Sequence, residues 1–421
     1  MFRARVWLAS AMWVPVLAAN AIAVALGIGL PLLDSALGDR PALPIPLSVV
    51  EQIMGALAAG MITFTGIVFS AVFVAAQIQT SSYSPRLAAR LRRDPVIIAG
   101  LALPTATASY SLFALAAIGR QADRTGEDVA PSLTVGIALL LALITIATFV
   151  ALVQRAFDST QIGGILRALM RRAHHVIEDV HPERERGLVR EHHKADLGIE
   201  LRHPGPPAVL ASVDRAALLR LARQTGAFVE VVPAIGHYVP PGAVTLRLRG
   251  LEREPTARDA RRVLVLARQR TMDQDPAFAM RMFVDIAIRA LSPAVNDPTT
   301  AVQSLDRIET LLVDLHGRLP SGGLVLDADG TARGSYPVPA WGEYVDLALI
   351  EIRHYGARSA QVARRLRALY AHLLEVVDAP ERDRVELEQR LLDEQLVASF
   401  PDPHERAILS RPDRLGLGGA A

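Results

Sequence analysis

Hydrophobic and polar positions are segregated along this chain on the scale of whole helices. Four apolar runs lie before Arg155, at about Val6–Leu33, Leu47–Ser84, Val96–Ile118 and Leu133–Val153, and the remainder is charge-rich and amphipathic. Each run reaches the roughly 20 apolar residues that a helix needs to cross a bilayer. The second run organises the rest: no charged residue falls between Ile53 and Ala76, and Pro85, Arg86, Arg90, Arg92 and Arg93 follow at once. At helical spacing Gln52, Ala56, Ala59, Thr63, Gly66, Ser70 and Gln77 fall along one side of it, while Ile53, Leu57, Ile67 and Phe69 lie elsewhere on its circumference. In lipid such a small and polar stripe is either a close-packing seam or the wall of a watery path. The pattern leaves both open.

The other runs carry their own signals. Arg3 and Arg5 precede the first run, with Trp7 and Trp13 near that end, where interfacial aromatics belong. Ala19-Asn20-Ala21 has the small-residue look of a cleavage site, but the run continues to Leu33 and reads as a retained anchor. Pro104 is expected to kink the third run, with Thr105, Thr107, Ser109 and Ser111 at hand for freed backbone groups. The fourth is uniformly aliphatic and is expected to face lipid most fully. Arginines cluster before the first run, after the second and after the fourth, whereas the two opposite loops hold only Arg40, Arg120 and Arg124 among acids. The positive-inside rule then places both termini in the cytoplasm. No Asp, Glu, Lys, Arg or His sits mid-run, which weighs against proton-coupled pumping.

Beyond Arg155 the pattern predicts a juxtamembrane helical linker over 156–205, a small α/β module over 206–250 and a helical cytoplasmic domain over 251–421, after a membrane domain at 1–155. The Pro204-Gly205-Pro206-Pro207 cluster marks the boundary before the module. Strands are expected at Ala208–Val213, Phe228–Pro233 and Ala243–Arg249, with a helix capped by Asp214 and stopped by Gly226. Asp275-Pro276 reads as an N-cap with Pro at the first helical position, opening a helix with Phe278, Met282, Ile286 and Ala290 on its buried face. Gly317–Tyr336 reads as a loop or hairpin, followed by helices at Trp341–Gly356, Ala357–Val377 and Pro380–Ala398 and a frayed tail from Pro401. The fold class is therefore an α-helical integral membrane protein of four spans with a mixed α/β, mainly helical, cytoplasmic domain.

Composition sharpens this picture. A mean hydropathy of +0.27 with 51% apolar and 21% charged residues is too greasy for an ordinary soluble chain, and requires the segregation just described. The formal net charge is only +2, Lys194 is the sole lysine, and no basic stripe with interleaved aromatics occurs, so nucleic acid is not an expected partner. The absence of cysteine excludes disulfides and thiolate chemistry. His174 and His181, two helical turns apart, raise a metal site, but no ligand set completes it, so no metal or cofactor is expected. Asp327-Ala328-Asp329-Gly330 resembles a calcium loop without its downstream glutamate. Metalloprotease, nucleophile-elbow and phosphate-loop motifs are all missing, so no catalytic residue is assigned.

One corner concentrates unusual residues. Asp285 and Arg289 are spaced for an i,i+4 pair, the helix stops at Leu291-Ser292-Pro293, and the next begins at Asn296-Asp297-Pro298. Asp285, Arg289, Asn296, Asp297 and Asp306 form either a polar ligand site or a set of caps and turns, and capping is the commoner use of these residues. The run Asp285–Ala301 resembles the signature of a bacterial family of membrane proteins known as domain of unknown function 2254. Glu351-Ile352-Arg353-His354-Tyr355-Gly356 and Phe64–Ser70 resemble two more of its blocks. That resemblance implies a four-span inner-membrane protein with a cytoplasmic domain, and brings no substrate, cofactor or catalytic residue. Two functions remain in play: a homo-oligomeric channel or transport-related protein lined by the second span, with the lipid bilayer and other copies as its partners, or a membrane-anchored cytoplasmic sensing or interaction module.

Overall fold

The computed structural model describes residues 13–36, 46–82, 94–125, 132–160, 162–181, 198–318, 323–379 and 381–417. The chain divides into two compact units, residues 1–164 and 165–421.

The first unit consists of four long apolar helices: α1 (Trp13–Ala36), α2 (Leu47–Ser82), α3 (Pro95–Thr125) and α4 (Ser132–Thr160). Arg3, Arg5 and Trp7, the loop arginines Arg86 to Arg93, and Arg40 lie outside the described residues. α3 is the centre, contacting all three neighbours, with half of its apolar stretch buried. The same share is 28% in α4, 17% in α1 and 11% in α2, so α2 and not α4 presents the most surface outward, contrary to the expectation from aliphatic content. Hydropathy alone misleads here, because α4 hands Val135, Ala138, Ala142 and Leu152 to the interior.

Small residues make the interior of this unit. A Cβ on Gly27 of α1 would lie 2.9 Å from the Tyr110 carbonyl oxygen of α3, so only glycine permits that approach. Polar side chains bond each other across helices: Asn20 Nδ2 donates to Thr105 Oγ1 at 2.9 Å and Ser109 Oγ donates to Asn20 Oδ1 at 2.8 Å. Thr107 and Thr145 pair at 3.1 Å, and Tyr110 Oη donates to the Thr134 carbonyl. Around Pro104, Thr105 and Thr107 return their hydroxyls to the carbonyls of Leu101, Ala102 and Leu103.

The second unit opens with α5 (Ile162–Val180), whose apolar stripe of Leu166, Leu169, Ala173, Val176, Ile177 and Val180 is buried. A five-stranded sheet follows in the order β1-β5-β3-β8-β7, from β1 (Gly198–Arg202), β3 (Phe228–Val231), β5 (Val244–Arg249), β7 (Leu324–Leu326) and β8 (Ala332–Ser335). A three-stranded sheet has the order β4-β2-β6, from β2 (Ala208–Val213), β4 (Tyr238–Val239) and β6 (Leu264–Ala267). All pairings are antiparallel except β3 with β8. The helix α6 (Arg215–Thr225) is capped by Asp214, which accepts from the Ala217 amide, and is ended by Gly226 in the left-handed region. Leu218 and Leu221 of α6 join Leu210, Val229, Leu246 and Leu248 in one core.

The β region draws on more chain than 206–250. β1 lies before it, and β6, β7 and β8 lie after it, with α7 (Ala257–Val263) leading into β6. β7 and β8 are the hairpin form of the Gly317–Tyr336 stretch, and β8 reaches β3 by pairing across more than a hundred residues. Between them run α8 (Pro276–Ala290) and α9 (Pro298–Arg318), and after them α10 (Trp341–Gly356), α11 (Ala360–Val376) and α12 (Glu381–Ser399). Residues 401–417 are not a frayed tail. Asp402 caps α13 (Pro403–Leu409), Leu409 is buried, and Gln361 Nε2 donates to the Gly416 carbonyl.

Candidate functional site

The stripe on α2 points away from its own bundle. Gln52, Ala56, Ala59, Thr63, Gly66, Ser70 and Gln77 are all exposed, whereas Val50, Met54, Ala58, Met61, Val68 and Ala75 fill the inward side. A Cβ added to Gly66 would meet nothing within 4 Å. Thr63 returns its hydroxyl to the Ala59 carbonyl at 3.1 Å, so it costs little to leave it facing outward. Phe64, beside the stripe, turns in to meet Phe149 edge-on at 4.8 Å. The small residues of the stripe are therefore not spent on packing within the protomer.

At the corner the backbone explains most of the polar residues. Asp297 N donates to the Ala290 carbonyl, and its carboxylate accepts from the Thr300 amide at 3.1 Å and the Thr300 hydroxyl at 2.6 Å, the arrangement of an N-cap on α9. Asn296 holds φ at +48°, the only described residue other than glycine with positive φ, and its amide donates to the Ser292 carbonyl. Asp285 is engaged by Arg281, one turn before it on α8, at 2.7 Å. Arg289 lies half-buried in the last turn of α8, and Pro293 to Asn296 form an exposed tip.

Two stretches that resemble family blocks meet here. Arg281 binds Glu351 of α10 through both carboxylate oxygens, and that guanidinium holds the carboxyl below its ordinary range. A Cβ on Gly356 would lie 3.3 Å from Leu291 Cδ1. Arg281 carries no motif of its own, and only the parallel lie of α8 and α10 reveals it.

Other arginines pair in the same way. Arg353 donates to Glu388 of α12 at 2.8 Å, with both side chains buried, and burial beside this pair pushes the Tyr370 phenol upward. Arg365 binds Asp306 and Glu309, and His372 also reaches Glu309, so Asp306 belongs to this α9–α11 link and not to the corner. Arg223 and Arg333 engage Asp327 and hold its carboxyl at about 2, the Arg223 hydrogen bond being the largest cause, followed by the Ala328 amide. Guanidinium groups thus occupy the place a calcium ion would need. Among the described residues no group of three or more His, Asp or Glu side chains is arranged to hold a metal. His174 pairs with Asp314 at 3.0 Å, while the His181 ring is buried elsewhere.

Four apolar helices of membrane-crossing length joined to a mixed α/β unit define the class of helical membrane proteins with a large polar domain. The chain belongs to the family described as "Predicted membrane protein (DUF2254)", whose model matches residues 9–372. It is 28% identical over 441 residues to the uncharacterized protein Rv1290c of Mycobacterium tuberculosis and, equally, to the uncharacterized protein Mb1321c of Mycobacterium bovis, covering 99% of this chain and 80% of each relative. No solved structure matches the chain.

Proposed function

We propose that this protein is a multi-pass inner-membrane protein with cytoplasmic termini that self-associates through α2, and that the α2 stripes of neighbouring copies line a solute path. The observation that carries this reading is the outward placement of Gln52, Ala59, Thr63, Gly66, Ser70 and Gln77, which leaves the one polar line of α2 unused within the protomer. Gln52 to Gln77 spans 25 residues of helix, about 37 Å at 1.5 Å per residue, against about 30 Å of hydrocarbon. The two glutamines then fall at the two interfaces, with Ala56, Ala59, Thr63, Gly66 and Ser70 between them and the exposed Phe73 and Val74 in the last turn before Gln77. A path of that lining would be uncharged along its length and would pass ions by diffusion, with the arginine-rich loop after α2 favouring anions at the inner mouth.

The chain's lack of cysteine makes the test direct, because single cysteines introduce the only thiol. Thr63→Cys, Gly66→Cys and Ser70→Cys, in membranes, are expected to form disulfide-linked dimers and to react with a membrane-impermeant thiol reagent. Dimers without reaction would reduce the stripe to a seam, and neither outcome would leave it facing lipid. In liposomes Gly66→Trp is expected to lower salt flux by at least tenfold. Flux absent from the wild type for every salt would favour the second reading, a membrane-anchored sensing module. That reading has its own support in α5, which is held within the second unit by Arg172 to Asp273, His174 to Asp314 and the Asp179 carbonyl to Arg215.

A further inference from the structure

The last turn of α5 ends in a buried imidazole whose Nε2 has no hydrogen-bond partner. His181 is 8% exposed, its backbone amide completes the helix by donating to the Ile177 carbonyl, and its Nε2 lies buried and unbonded. A histidine at a helix C-terminus is ordinarily favoured in its charged form by the macrodipole. Here two guanidinium groups act on it instead. Arg215 of α6 is fixed beside this turn, Nη1 donating to the Asp179 carbonyl at 2.9 Å and Nη2 to the Tyr336 hydroxyl at 3.0 Å. Arg318, at the end of α9, pairs with Asp314 at 2.6 Å, and Asp314 also receives His174 from two turns earlier on α5.

We propose that His181 is a proton-operated latch on α5: neutral, its ring seats the helix end in the second unit, and protonated, it sets a third positive charge beside Arg215 and Arg318 and releases that end. Among the described residues the charged and titratable groups facing the latch are Arg215 from α6, Arg318 and Asp314 from α9, Tyr336 after β8, and His174, Glu178 and Asp179 from α5 itself. The two described acids nearest in sequence, Glu178 and Asp179, are on the exposed side of α5, and Asp314 is already shared between Arg318 and His174. Among the described residues no hydrogen bond or ion pair joins a carboxylate to the His181 ring. The inference stands whether or not the apolar helices conduct, because it concerns only how α5 is held.

Burial is the largest cause that lowers the His181 pKa from 6.5 to about 4, followed by Arg215 and then Arg318. A base whose pKa falls on docking binds fewer protons when docked than when released. Docking is therefore at full strength above the ordinary value and weakens as pH falls through 6.5 toward 4. Linkage gives a docking constant about 30-fold smaller at pH 5 than at pH 8 for that shift.

The test is hydrogen exchange on the full chain in nanodiscs at pH 8, 6.5 and 5, corrected for intrinsic rates. Protection of the 166–181 peptides is expected to fall about 30-fold across that range, while peptides from α8, α10 and α11 keep theirs. His181→Gln and His181→Phe, neither of which protonates, should show the same protection of α5 at pH 5 as at pH 8, and His174→Gln should keep the fall. A wild type without the fall, or a fall that persists in both His181 variants, overturns the latch. Should neither variant fold, the His181 titration itself decides it by NMR: a midpoint at or above 6.5 overturns it, and one below 5 sustains it.

Discussion

The two units of this chain are built inside out relative to each other. In the first, many large apolar side chains point outward, Phe69 being 63% exposed with Phe73, Leu140 and Leu143 similar, and the interior is richest in Ala, with Val50, Met54, Met61, Val68 and Tyr110 beside the buried hydroxyls of Thr107 and Thr145. In the second, Phe283, Leu305 and Leu349 are wholly buried, and arginines pair with carboxylates between helices. The difference follows from solvent. Against water an apolar surface is expelled inward, so size and greasiness fill a core. Against lipid there is no such drive, and helices approach through small residues and shared hydrogen bonds instead. Polar side chains serve opposite purposes as a result: Asn20 ties α1 to α3 inside the first unit, whereas Arg281 ties α8 to α10 at the rim of the second.

That contrast can be broken most severely at the buried pair of Arg353 and Glu388. Arg353→Ala leaves Glu388 buried and unpaired, and is expected to lower unfolding free energy by about 3–5 kcal/mol, read from chemical denaturation. Arg353→Met with Glu388→Leu should recover most of it, and a double variant no better than the single would show that the pair contributes more than mutual compensation. Phe283→Ala should cost about 3–5 kcal/mol through its cavity. Next comes the first unit's polar triad. Asn20→Leu removes both cross-helix bonds and is expected to cost about 1–2 kcal/mol, measured by steric trapping in bicelles or by thermal shift in detergent. Asp297→Ala should cost about 1 kcal/mol as a lost cap, and Asp297→Asn should restore most of it. A loss well above that would mean that the corner does more than start α9. Phe69→Ala is the smallest, within about 0.5 kcal/mol, and a penalty near that of Phe283→Ala would contradict the inside-out reading.

Helical elements with strong local signals were legible in the sequence. Asp275-Pro276, Asp214 with Gly226, and Asp297-Pro298 each start or stop a helix where capping chemistry says, because a cap is satisfied by amides within three residues. β8 was not legible as a partner of β3, since its register is set by neighbours a hundred residues away. Nor was the direction of the Asp285 pair: spacing allowed Arg289, and the carboxylate of Glu351 drew Arg281 into place beside it. The stripe on α2 was legible as a line of residues, but not as an outward one, because periodicity gives the faces of a helix without saying which neighbour takes each.

What the sequence determined by itself is local and additive: which stretches are too apolar for water, where helices begin, and that arginine-rich segments flank particular runs. Only the tertiary structure decided that α3 and not α2 is the hub, that Asp327 is filled by guanidinium groups, and that His181 is sealed between Arg215 and Arg318. Hydrophobicity and capping act over a few residues and leave their mark in order along the chain. Burial and charge compensation depend on which distant side chain arrives, and that is fixed only when the helices pack.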